Sequence, residues 1–230
     1  MNPTSGKNLM SAVACLCERG LVLIPTETRY MLACNATDDT AVARLKRLAG
    51  MGTQERPEVF SPAFSQFRKA VYDIPAVCHA LADRFSPGSL SYLLPAKAVV
   101  SASLAYPDGK VAIRVPSHPL TLSLLDQCMF PLAVAPMPAL SGLSAAHSAS
   151  EAAMALSGEV GYVLDGGAAS LGDDATLVSF EPDAILIHRR GSVTARSIEA
   201  VTRMLVVNSI TPILPLPEAA MVVPFKVPAR

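Results

Sequence analysis

Short apolar runs alternate along this chain with segments whose apolar residues recur at helical spacing, and that alternation leaves few folds open to it. Leu9, Val13, Leu16 and Cys17 share a helical face, and Gly20 follows as a stop. Leu21 to Ile24 then reads as a strand broken at Pro25, with a second strand from about Tyr30 to Cys34. Asp38 and Asp39 are good N-caps for a helix that buries Val42, Leu45 and Leu48 and ends at Gly50. Met51 to Pro62 reads as a loop, and helical character returns from about Phe64 to Phe85 with a break near Pro75. Strands are expected near 90–94, 111–115, 131–135, 161–164, 176–180 and 184–188. Helices are expected after His118, near 150–156 and from about Thr194. Helices interleaved with strands, some of them adjacent in sequence, imply an α/β fold: one mixed sheet with helices packed on it.

The 230 residues are enough for one domain with a sizeable core. From Val206 the character changes, because Pro212, Pro215, Pro217, Pro224 and Pro228 forbid a regular helix in an apolar stretch. The expected division is a domain over 1–205 and a proline-rich tail over 206–230 that packs on the domain or on a partner. Although 51% of residues are hydrophobic, no apolar run approaches the roughly 20 residues a membrane helix needs. The polar start at Met1 to Lys7 is unlike a secretory signal, so a cytoplasmic location without a membrane is expected. Lys plus Arg equal Asp plus Glu at 19 each, which argues against binding nucleic acid by bulk charge. The five cysteines are odd in number and without paired spacing, as expected of reduced thiols. His79, His118, His147 and His188 show no ligand spacing, and no metal site is assigned to them.

The stretch most suggestive of chemistry is Pro25-Thr26-Glu27-Thr28-Arg29-Tyr30, which directly follows an apolar strand. Open α/β sheets present ligand groups at such strand ends. Two hydroxyls and a carboxylate behind a rigid proline suit a polar ligand, and they equally suit a capped polar turn.

Pro-Thr-Glu-Thr followed by an aromatic resembles the hallmark of the threonylcarbamoyl-AMP synthase (YrdC-like) family. Further similar segments follow in the family's order: Ser86-Pro87-Gly88-Ser89-Leu90-Ser91, the Arg114-Val115-Pro116 segment, Ser141-Gly142, Asp165-Gly166-Gly167, Thr176-Leu177-Val178 and Arg189-Arg190-Gly191. The resemblance covers about residues 8–205. It implies a twisted, open mixed sheet with flanking helices and a concave cleft. The implied reaction joins L-threonine, bicarbonate and ATP into threonylcarbamoyl-AMP with release of pyrophosphate, for the t6A modification of tRNA. ATP is then a substrate, and Mg2+ is its expected companion. By the same resemblance, Thr28 contacts threonine and Arg114 pairs with its carboxylate, as a guanidinium does well. Arg56, Ser141 and Arg189 would face the nucleotide, with Pro25, Thr26, Glu27 and Tyr30 completing the motif.

The chain also departs from that family pattern. Gln54 and Phe60 stand where lysines are expected, Met137-Pro138-Ala139 replaces Ser-Ala-Asn, Met31 replaces a glycine, and Ala175 replaces a serine. An anionic carbamate attacking an anionic phosphate needs positive charge around it, so Lys46, Arg47 or Lys97 would have to substitute. Three readings stay open: an active synthase, a catalytically impaired paralogue that binds a ligand or RNA (double-stranded RNA included), and an interaction protein. In the last, the tail docks on a protein partner or a second copy of the chain.

Overall fold

The computed structural model describes residues 4–137, 149, 153, 156, 158–168 and 174–209. Its strands, in chain order, are β1 (Thr4–Gly6), β2 (Val22–Pro25), β3 (Tyr30–Asn35), β4 (Glu58–Phe60), β5 (Leu90–Pro95) and β6 (Lys110–Arg114). They continue with β7 (Leu132–Pro136), β8 (Tyr162–Leu164), β9 (Thr176–Phe180), β10 (Ala184–Arg189) and β11 (Leu205–Asn208). The helices are α1 (Leu9–Cys17), α2 (Asp39–Leu48), α3 (Ala76–Phe85), α4 (Pro119–Gln127) and α5 (Ala195–Thr202), with a 3₁₀ turn at Phe64–Lys69.

All of these strands join one sheet in the order β1-β8-β2-β3-β7-β4-β6-β5-β9-β10-β11. Pairing is mixed: β2 with β3, β3 with β7 and β5 with β6 are antiparallel, whereas β4 with β6 and β5 with β9 are parallel. The α/β architecture and the open mixed sheet expected from the sequence are what the chain adopts.

Local sequence explains most helix boundaries. Asn8 caps α1 by accepting from the backbone N–H groups of Met10 and Ser11, and Asp38 caps α2 by accepting from Ala41. Such caps satisfy donors that a helix start leaves unpaired. Pro119 opens α4 at a position where its missing N–H costs nothing.

Three expectations change. Residues 51–62 are not simply a loop, because Glu58–Phe60 is a fully buried strand between β7 and β6. Three residues are too few to display a periodicity, and only the neighbouring strands make them a strand. Thr4–Gly6 is likewise a short strand, paired with β8. The sheet also runs past residue 205: β11 pairs in parallel with β10 across the boundary drawn from proline content. Residues 210–230 lie outside the described residues, as does most of the helix expected near 150–156.

The pleat divides the core in two. On one face Leu23, Leu32, Val59, Tyr92, Ile113 and Val178 pack under α2, α3 and α5 through Leu45, Leu81 and Ile198. On the other, Ile24, Ala33, Phe60 and Leu132 pack under α1 and α4 through Leu16, Leu124 and Leu125. The second cluster does not extend along the sheet beyond Phe60. There Glu58, Ser91, Arg114 and Leu177 occupy the same face, and the uncovered stretch of sheet becomes a cleft.

Candidate functional site

A cavity of about 470 Å³ opens on this face, lined among others by Thr28, Arg56, Arg114 and Arg189. The fold therefore brings together four of the residues singled out from the sequence. Their elements are far apart in the chain: the β2–β3 turn, the loop before β4, the end of β6 and the end of β10.

The Pro25–Tyr30 motif divides its labour. Thr26 is fully buried; its Oγ1 donates to the Arg29 carbonyl at 2.7 Å and accepts from the Arg29 N–H at 3.1 Å, which sets the turn. The Thr28 hydroxyl lies 3.0 Å from Thr26 Oγ1, and its side chain reaches the cavity lining. Pro25 accepts a hydrogen bond from Thr121 Oγ1, tying the turn to α4. Tyr30 is buried on the opposite face, donating to the Gly167 carbonyl at 2.7 Å and accepting from the Gly166 N–H at 3.0 Å. Pro25, Thr26 and Tyr30 thus hold the site without lining it.

Glu27 lies behind the lining. It accepts hydrogen bonds from Arg114, from Ser89 Oγ at 3.2 Å and from the Ser117 N–H at 3.2 Å. Arg114, only 2% exposed, also donates from Nε to the Gly88 carbonyl at 3.0 Å. Its guanidinium sits over the Phe60 ring, 5.2 Å from the centroid. Nη1 of Arg114 lies 3.8 Å from Glu58 Oε2. Glu58 in turn accepts from Arg189 and from Ser91 Oγ at 2.9 Å. The result is a chain of four charges across four segments, Glu27–Arg114–Glu58–Arg189, with every charge paired.

Burial works to raise both carboxyls. At Glu27 the Arg114 guanidinium and the hydrogen bonds outweigh it, and at Glu58 Arg189 and Arg114 do, so both stay below the ordinary carboxylate value. Burial likewise works to lower Arg189, and Glu58 more than offsets it. Tyr106, also in the lining, is pushed up to about 12 by burial and by the Glu58 charge.

Arg189 reaches the cavity because β10 is irregular. The register with β9 shifts between Ile187 and Arg189, leaving His188 as an extra residue. A bulge re-aims the side chains that follow it, and both His188 and Arg189 line the cavity. The entry to β9 is tightly packed: a side chain at Gly191 would meet the Asp174 carbonyl oxygen at 1.8 Å. Only glycine permits that approach. Asp174 also pairs with Arg29 at the cavity's edge.

Several substitutions read from the sequence fall in the lining: Met31, Gln54 and Ala175. Phe60 does not line it, but covers Arg114 from the second core cluster. Met137 packs on the first cluster, and Pro138, Ala139 and Ser141 lie outside the described residues. The three cations considered as replacements are engaged elsewhere and do not line the cavity. Lys46 donates to the Ser103 carbonyl, Arg47 pairs with Glu159 at 3.2 Å, and Lys97 donates to the Arg68 carbonyl. Arg56 lines the cavity, with Nε donating to the Ala105 carbonyl and Nη1 to those of Thr53 and Glu55.

Sequence reasoning missed Glu58, Arg29, Asp174, Tyr106 and His188. Glu58 left no local sign, because Glu58-Val59-Phe60 shows no alternation of polar and apolar residues. Among the described residues, no group of three or more His, Cys, Asp or Glu side chains is placed to hold a metal ion. None of the described helices is long and apolar enough to cross a membrane.

Known proteins resemble both the sequence and this architecture. The threonylcarbamoyl-AMP synthase of Bacillus subtilis (strain 168) is 33% identical over 199 residues, 86% of this chain and 57% of that protein. The enzyme of the same name from Pyrococcus abyssi (strain GE5 / Orsay) is 32% identical over 184 residues, 80% of this chain and 54% of its own. The chain thus spans a little over half the length of these relatives. The crystal structure of P. abyssi Sua5 complexed with L-threonine superposes with a TM-score of 0.79 at 27% identity, covering 89% of this chain and 61% of that one. E. coli YciO shares the fold at a TM-score of 0.72 and 20% identity, covering 83% of this chain and 96% of its own. Residues 15–191 match the Sua5/YciO/YrdC family, whose description reads "Telomere recombination", and the chain belongs to that family.

Proposed function

We propose that the chain is a threonylcarbamoyl-AMP synthase, condensing L-threonine, bicarbonate and ATP with release of pyrophosphate to supply the t6A modification of tRNA. The observation that carries this reading is the convergence of Thr28, Arg56, Arg114 and Arg189 on one cavity, in a family whose P. abyssi member was crystallised with L-threonine. The relatives' shared name gives the reaction its product.

In this reading Thr28 offers its hydroxyl to threonine, and Arg114 supports the amino acid's carboxylate while staying anchored to Glu27. Arg189 and Arg56 face the nucleotide, and both keep part of the guanidinium free of backbone partners. Among the described residues no group of three or more carboxylate, His or Cys side chains offers a protein-held Mg2+ site, since Glu58 and Asp174 are committed to arginines and Glu55 alone is left in the lining. Mg2+ would enter on the nucleotide's phosphates, as it commonly does. The proline-rich tail, drawn from the sequence over 206–230, is proposed to begin only after β11 ends at Asn208, and a cytoplasmic location suits a tRNA-modifying activity. The alternative of an impaired paralogue that binds RNA draws no support from the relatives' names.

The test is pyrophosphate release by purified protein given ATP, with and without L-threonine and bicarbonate. Release that requires both is the expected result. None under any magnesium concentration would overturn the reading.

A further inference from the structure

The connection between β5 and β6, residues 96–109, folds back over the face of the sheet that carries the cavity and delivers Tyr106 into its lining. The backbone there is pinned. The Tyr106 N–H donates to the Lys110 carbonyl at 2.8 Å, and the Gly109 N–H donates to the Tyr106 carbonyl at 2.9 Å. Arg56 Nε donates to the Ala105 carbonyl at 2.7 Å, which ties that guanidinium to the peptide leading into Tyr106. The ring packs on Leu93, Ala112 and Leu177, a small apolar cluster apart from the two main ones.

Backbone and ring are thus fixed, but the hydroxyl is unspent: among the described residues it has no hydrogen-bond partner. A tyrosine enclosed to this degree normally gives its hydroxyl to a neighbour. The charges that act on it are those of Glu58, Arg189, Arg56 and Asp108, and not that of Arg114. Tyr106 therefore belongs to the Arg56 and Arg189 side of the cavity rather than to the Thr28 and Arg114 side. Glu58 does not need the phenol, because its oxygens already accept from Arg189 and Ser91. Two further donors on this side are unspent among the described residues, Nη2 of Arg56 and Nη1 of Arg189. Burial and the Glu58 charge push the phenol up to about 12, so it keeps its proton near neutral pH and can donate. Two cationic donors and one neutral donor in one cavity suit an anion with several oxygens.

We propose that Tyr106 is a further binding residue of this cavity: its hydroxyl donates to an oxyanion held by Arg56 and Arg189, which in the synthase reading is a phosphate of the nucleotide. The proposal rests on that reading for the identity of the anion. The hydrogen bond itself rests on the unspent hydroxyl and on the two arginines beside it.

The experiment measures pyrophosphate and L-threonine binding to the full chain by calorimetry, for the unaltered protein and for Tyr106→Phe. Phenylalanine keeps the ring on Leu93, Ala112 and Leu177 and removes only a hydroxyl that no described residue uses, so the thermal midpoint should not fall. Pyrophosphate should bind about tenfold more weakly to the variant, a loss of about 1.4 kcal/mol, as for a hydrogen bond to a charged group. L-Threonine, assigned to Thr28 and Arg114, should change by less than about twofold. Pyrophosphate affinity within about twofold of the unaltered protein's overturns the proposal. So does an equal loss for both ligands, or no pyrophosphate binding to the unaltered protein. A lowered thermal midpoint would make the hydroxyl a structural partner and is equally fatal. Binding of pyrophosphate needs no turnover, which separates this proposal from the synthase reading. A protein that forms no threonylcarbamoyl-AMP can still show the selective loss, and an active synthase can still fail to show it.

Discussion

Replacing Arg114 by methionine tests whether the buried ion network holds the sheet together. The change deletes the ion pairs with Glu27 and Glu58, the hydrogen bond to the Gly88 carbonyl and the contact with the Phe60 ring. Glu58 keeps Arg189 and Ser91, whereas Glu27 keeps only Ser89 Oγ and the Ser117 N–H, at 3.2 Å each. Removing one partner of a buried pair typically costs about 3–5 kcal/mol, mostly because a charge is left uncompensated. Glu27 retains 18% side-chain exposure, so water offsets part of that cost and the lower end, about 3 kcal/mol, applies. At about 2–3 kcal/mol per molar urea, the midpoint should fall by about 1–1.5 M. The double variant Arg114→Met with Glu27→Gln removes the stranded charge as well, and should recover about 1 kcal/mol or more of the loss. A midpoint shift worth less than about 1 kcal/mol, or a double variant no more stable than the single one, would refute the reasoning.

Gly191→Ala forces a methyl onto the Asp174 carbonyl and the Ala175–Thr176 peptide, and should cost about 2 kcal/mol or more; a thermal midpoint unchanged within a degree would show that the β9 entry yields freely. The folded-state values of Glu27 and Glu58 lie below 4.5, so the unfolded chain binds more protons than the folded one as the medium acidifies. Their stabilisation is complete above about pH 4.5 and is lost as pH falls through the folded values. His118 and His188 are lowered from 6.5 chiefly by burial, which adds a loss just below that pH; urea midpoints flat from pH 8 down to pH 3 would contradict both. Burial pushes the Cys34 thiol up to about 12 and raises Cys78 further, while Cys17 is exposed. Iodoacetamide at pH 8 should therefore modify Cys17 in the native protein and reach Cys34 and Cys78 only on unfolding, as read by peptide mass spectrometry.

By itself the sequence determined the elements whose causes are local. Helical spacing in Leu9–Cys17, the Asp38 cap and the break at Pro75 each act within a few residues, and the helices lie where those signals place them. The ordered motifs likewise marked the family and four residues of the cavity. What the tertiary structure decided is which charges face one another. Glu58 is a buried bridge only because β7 and β6 pair on either side of a three-residue strand, and Arg189 enters the cavity only because β10 slips register at His188. Arg114 stood out in the chain as a cation for a ligand carboxylate, and the fold also pairs it with Glu27 and Glu58. Charge pairing is a property of positions brought together over separations of up to 145 residues, as between Arg29 and Asp174. No local pattern carries that information, because the Coulomb and desolvation terms that set a buried charge depend on neighbours that only the folded sheet assembles.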